Sequence, residues 1–126
     1  RELRDRGLTL GIISNTFLPG EALDRHLAEE GLLHYFPTRV YSCDVMVRKP
    51  NVRIFRIALE KTGLDPAATL FVGDSPWADI RGANRVGMTS VLKDPLGQYE
   101  RTRSHPDHRI ERLSELIGIV DGRPAS

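Results

Sequence analysis

The chain has 126 residues, a length typical of one domain, and its 40% hydrophobic content is enough to bury a core. A formal net charge of +1 gives no basic excess for nucleic acid or an anionic membrane surface. The single cysteine, Cys43, excludes an internal disulfide and is compatible with a cytoplasmic location, and no apolar run approaches membrane-spanning length.

The chain does not begin with Met, and residues 1–7 read as the last turns of a helix stopped by Gly7. That start lacks an N-cap and an apolar face, so the expectation is a chain cut from something longer. Residues 8–13, Leu8-Thr9-Leu10-Gly11-Ile12-Ile13, form an apolar run of strand length, the kind a parallel strand covered on both faces requires. It ends in three hydrogen-bonding side chains, Ser14, Asn15 and Thr16. Pro19 and Gly20 break the chain, and residues 21–30 read as a helix with Ala22, Leu23, Leu27 and Ala28 apolar and Gly31 as its stop. Residues 40–43 read as a second strand with Cys43 buried at its end, and residues 44–48 as a loop leaving it.

Lys49-Pro50-Asn51 opens the next helix, whose Ile54, Phe55, Ala58 and Leu59 share one face before Gly63 ends it. Asp65-Pro66 leads by a short turn into Leu70-Phe71-Val72, an apolar run followed by Gly73 and Asp74. Asp74 or Ser75 is positioned to cap a helix starting at Pro76, with Ile80, Ala83 and Val86 inward and Gly87 as stop. Residues 89–92 read as a strand, residues 93–107 as a loop or flap, and His108-Arg109-Ile110 as an edge strand. Leu113, Leu116 and Ile117 suggest a last helical turn, with a frayed tail from Asp121. Core and tail are expected at residues 1–118 and 119–126. Alternating strands and helices predict an α/β fold, a three-layer parallel sheet with helices on both faces.

Ligands in such folds collect outside the carboxyl ends of the strands. There the chain offers a hydroxyl (Ser14), an ammonium (Lys49) and two carboxylates (Asp74 and Asp79), a set suited to a phosphate with magnesium. Capping alone accounts for Ser14 or Asp74 taken singly, and a solvated lysine is the ordinary fate of Lys49. Trp77 reads as a packing or rim residue. His26, His34, His105 and His108 read as surface groups without metal-ligand partners.

The three stretches Ile12-Ile13-Ser14-Asn15-Thr16, Arg48-Lys49-Pro50 and Phe71-Val72-Gly73-Asp74-Ser75-Pro76-Trp77-Ala78-Asp79-Ile80, in that order over residues 3–116, resemble the second, third and fourth motifs of the haloacid dehalogenase-like hydrolases. The resemblance implies a Rossmann-like core and a magnesium-dependent phosphatase acting on a small phosphorylated substrate. Ser14, Asn15 and Lys49 would bind the phosphoryl group, with Ser14 and Lys49 catalytic, and Asp74 and Asp79 would bind Mg2+ or orient its site. The family's first motif, Asp-x-Asp, supplies its nucleophile and occurs nowhere in this sequence. Asp5 and Asp24 are not credible substitutes. The family's first strand, between those ending at Ser14 and Asp74, and its cap are therefore expected to be missing. That leaves three readings open: a phosphatase completed by an N-terminal segment, a non-catalytic remnant or scaffold acting as a binding module, and a dehalogenase, which the acidic pair disfavours. A chain without a central strand is also expected to self-associate through its open sheet edges.

Overall fold

The structure, a computed structural model, describes residues 1–122. The last four residues of the expected tail, 123–126, lie outside the described residues. The chain forms two compact units, one spanning Arg1–Gly63 and one from Leu64 onward. Every strand pair is parallel, and helices alternate with strands, as the α/β expectation requires. The strands make two hydrogen-bonded sheets, β1–β2 in the first unit and β3–β4–β5 in the second, consistent with the expected lack of a strand between those ending at Ser14 and Asp74.

In the first unit, α1 (Glu2–Asp5) leads to β1 (Gly11–Ser14), which pairs with β2 (Thr38–Tyr41) from Gly11 opposite Thr38 to Ser14 opposite Tyr41. β1 thus starts three residues later than residues 8–13 suggest, and Leu8 is exposed. The partner explains the shift. β2 begins immediately after Pro37, which has no N–H to donate to a ladder, so pairing starts at Thr38 and only from Gly11 across from it. The strand expected at residues 40–43 is also displaced: after Tyr41 the chain turns into α3 (Ser42–Val45), ended by Met46 in the left-handed region at φ 60°. Asp44 and Val45 are therefore helical, not loop, and Cys43 is half-buried on α3 rather than buried at a strand end.

Helix α2 (Gly20–Glu29) follows Pro19 and carries half-buried Leu23 and Leu27. Helix α4 (Val52–Thr62) starts where the Asn51 side chain accepts from the Arg53 amide and stops at Gly63, whose φ of 69° suits a residue without Cβ. It packs on β1 and β2. Its Ile54, Phe55 and Ala58 are buried with Val40 and Tyr41, and these form the core. Burial of Phe55 and Ile54 contributes about 1.5–3 kcal/mol each.

In the second unit, β4 (Thr89–Lys93) is central between β3 (Leu70–Gly73) and β5 (His108–Ile110). β4 supplies the fully buried Val91 and Leu92. A π-helical turn over Pro76–Ile80 runs into α5 (Arg81–Val86), and Ile80, Ala83 and Met88 close on the sheet. The unit ends in α6 (Leu116–Val120), with Leu116 buried. β1 and β3 contain no fully buried residue, unlike the doubly covered strands their composition suggests. No helix among the described residues is long and apolar enough to cross a membrane.

Candidate active site

The first unit holds the predicted hydroxyl and ammonium. Ser14 is the last residue of β1, half-buried, and the chain beyond it is held by the Ser42 side chain of α3 and by the backbone of the loop before α4. The Ser42 hydroxyl accepts from the Thr16 amide at 2.7 Å and donates to the Thr16 carbonyl at 3.2 Å. The Asn15 side chain reaches across to Lys49: its Oδ1 accepts from the Lys49 amide at 2.8 Å and its Nδ2 donates to the Lys49 carbonyl at 3.1 Å. The structure therefore brings Asn15 and Lys49 together, at a half-buried position. The Lys49–Pro50 peptide is cis. The Arg48 guanidinium lies 5.0 Å from the centre of the exposed Phe17 ring.

Sequence reasoning missed Ser42 and Asp44. Ser42 is buried, and Asp44 Oδ1 accepts from the Gly20 amide at 3.0 Å, satisfying a donor at the start of α2. A Cβ on Gly20 would fall within the van der Waals radius of the Asp44 carboxylate and the Tyr41 ring. Ser42 directly follows β2 and Asp44 lies two residues further on in α3, and that place just past a strand end was the available signal.

Asp24 is engaged elsewhere. The Arg39 guanidinium grips it through Nε at 2.6 Å and Nη2 at 3.3 Å, and the Tyr41 hydroxyl donates to it at 2.9 Å. Arg39 first, with Tyr41 assisting, holds the Asp24 carboxyl below its ordinary range. Burial, then the Asp24 carboxylate, push the Tyr41 hydroxyl up to about 12. This network ties α2 to β2.

The second unit holds the two carboxylates, in different environments. Asp74 directly follows β3 and is exposed. Asp79 is only 3% exposed, and its Oδ2 accepts from the amides of both Asp74 and Ser75 at 3.1 Å. Ser75, not Asp74, caps the turn, accepting from the Ala78 amide at 3.0 Å. This is a capping box in which the returning acid sits one residue later than usual. The wide π turn permits it by placing Ile80 N over Ser75 O at 3.3 Å. Gly73 leaves room for it, because a Cβ there would overlap the Asp79 side chain. Asp79 thus shapes the loop that presents Asp74. Trp77 is exposed beside them, as a rim residue would be.

Among the described residues no three His, Cys, Asp or Glu side chains gather as a metal cluster. A lone exposed carboxylate at a strand end suits Mg2+, which takes one or two carboxylates and completes its shell with water and phosphate.

Residues 1–87 match the sequence pattern of the haloacid dehalogenase-like hydrolases. The chain belongs to the haloacid dehalogenase-like hydrolase family. It is 35% identical over 126 residues to a glyceraldehyde 3-phosphate phosphatase of Methanopyrus kandleri, covering 94% of this chain and 52% of that protein. It is 36% identical over 116 residues to a phosphoserine phosphatase of Thermus thermophilus, covering 92% and 46%. The crystal structure of a haloacid dehalogenase-like phosphatase from Thermococcus onnurineus superposes with a TM-score of 0.82 at 36% identity, covering 98% of this chain and 55% of that one. The chain spans about half the length of the curated relatives it matches.

Proposed function

We propose that this haloacid dehalogenase-like chain carries the phosphoryl- and metal-binding groups of a magnesium-dependent phosphatase acting on a small phosphorylated metabolite. The observation that carries the reading is placement: Ser14 closes β1 and Asp74 directly follows β3, so in each unit the candidate group stands at the carboxyl end of a parallel strand. The phosphatase relatives support the same substrate class.

In this reading the Ser14 hydroxyl donates to a phosphoryl oxygen. Lys49, whose peptide the Asn15 side chain holds, offsets the charge that builds on the phosphoryl oxygens as the ester bond breaks. Asp74 would hold the Mg2+, and Asp79 keeps the Asp74 loop in shape. Bound Mg2+ supplies charge neutralisation at the phosphoryl group. The nucleophile lies outside the residues assigned here, since the sequence has no Asp-x-Asp, and an N-terminal segment bearing that motif would supply it.

A cytoplasmic location fits the free thiol of Cys43. Self-association belongs to the same proposal. β1 and β3 are terminal strands of their sheets, and terminal strands template further pairing. Light scattering that finds only monomer would remove that part.

The test is release of aryl alcohol from a generic aryl phosphate, with and without Mg2+, by the chain and by Asp74→Asn. Mg2+-dependent turnover that Asp74→Asn abolishes supports the phosphatase. Phosphate and Mg2+ binding without turnover supports the second reading, a non-catalytic binding module.

A further inference from the structure

Asn15 spends its side chain on Lys49. Both polar atoms of the amide engage one peptide group pair, the N–H and C=O of Lys49, across 34 residues of sequence. The orientation is fixed by chemistry, since flipping the amide would set N–H against N–H and oxygen against oxygen. Asparagine is the shortest side chain offering a donor and an acceptor in the geometry of a backbone amide. It therefore imitates one more rung of a ladder beyond the end of β1. The loop needs such a substitute because Pro50 has no N–H with which a strand could hold it. Ser42, bonded to both polar groups of Thr16, stiffens the platform from which Asn15 reaches.

We propose that Asn15 is a positioning residue for Lys49, gripping its peptide so that the ammonium is set in place, and is not itself a substrate ligand. The functional half of this rests on the phosphatase reading, in which Lys49 meets the phosphoryl group. The grip stands on geometry alone.

The experiment uses the isotope-labelled chain, amide exchange at Lys49, and titration with inorganic phosphate, for the parent, Asn15→Ala, Asn15→Asp, Lys49→Ala and the Asn15→Ala/Lys49→Ala double variant. Losing one hydrogen bond of ordinary strength raises Lys49 amide exchange about fivefold in Asn15→Ala. Asn15→Asp keeps an acceptor for that amide while its second oxygen faces the Lys49 carbonyl, so it restores part of the protection, which separates the grip from general unfolding. Phosphate affinity falls in Asn15→Ala by no more than in Lys49→Ala, and the double variant binds like Lys49→Ala alone. A full second loss in the double variant means that Asn15 touches phosphate itself, and overturns the proposal. So does unchanged exchange at Lys49 in Asn15→Ala, or phosphate affinity that Asn15→Ala leaves unaltered while Lys49→Ala lowers it. Phosphate affinity indifferent to Lys49→Ala refutes the role of Lys49 in the phosphatase reading, while the exchange data still judge the grip.

Discussion

Gly73→Ala tests how the Asp74 loop is built. A methyl group on Gly73 overlaps the Cβ, Cγ and Oδ2 of Asp79, a short and buried side chain with nowhere to retreat. Asp79 must move, and Oδ2 then releases the amides of Asp74 and Ser75. Two hydrogen bonds to a carboxylate are worth about 1.5 kcal/mol each at the low end of their range. Overpacking adds about 1–3 kcal/mol. The expected loss is therefore about 4–6 kcal/mol, and at about 4 °C per kcal/mol for a chain of this size the melting temperature falls by about 15–25 °C. Urea unfolding of the parent, Gly73→Ala, Asp79→Gly and the double variant measures this. In the Asp79→Gly background all three atoms the added methyl would overlap are gone, the Cβ included, so Gly73→Ala costs less than half as much there. A Gly73→Ala protein within about 1 kcal/mol of the parent, or equal costs in both backgrounds, refutes the reasoning.

Other expectations follow from the same structure. The folded Tyr41 hydroxyl titrates at about 12 against an ordinary 10.0, so its contribution to stability is complete below pH 10 and is lost as the pH climbs from 10 toward 12. The stability gap between the parent and Tyr41→Phe accordingly narrows over that interval in chemical unfolding, and a constant gap contradicts the assignment. Asp24, held below its ordinary value chiefly by Arg39, contributes stability above about pH 4 that is lost as the pH falls through its lower folded value. Asp24→Asn flattens that acid limb. The fully buried Ser90 donates its amide to Asp107 Oδ2 at 2.8 Å. Asp107→Ala leaves that donor unsatisfied and costs about 1–3 kcal/mol by denaturant unfolding, against little for Asp107→Asn, which keeps the acceptor.

Local signals in the sequence were read well where one element suffices. The stripe of Ile54, Phe55 and Ala58, the Asn51 start and the Gly63 stop describe α4 almost to the residue, because a helix is made of contacts three and four positions apart. The edge strand at His108–Ile110 and a cap at Ser75 were legible for similar reasons. Features set by distant partners were not. β1 takes its start from Pro37, just ahead of the neighbouring strand, and α3 is a four-residue helix with no periodicity to detect, anchored by bonds from Ser42 to Thr16 and from Asp44 to Gly20.

The candidate site shows the same division. Residue types at strand ends marked Ser14, Lys49, Asp74 and Asp79. The pairing of Asn15 with Lys49 and the inward use of Asp79 depend on approaches that no spacing encodes. Division of the strands into two sheets was legible only through the family resemblance, which implied a missing strand between those ending at Ser14 and Asp74; apolar runs alone do not name their partners, since parallel pairing is always non-local.

The central proposal is that Ser14 and Lys49 bind a phosphoryl group and that Asp74 holds Mg2+. Calorimetric titration of inorganic phosphate into the chain, with and without Mg2+, tests it most directly. The account predicts that Mg2+ tightens phosphate binding, that Asp74→Asn abolishes the Mg2+ effect, and that Lys49→Ala weakens phosphate binding in both conditions. Phosphate binding that is indifferent to Mg2+ and to both substitutions contradicts it.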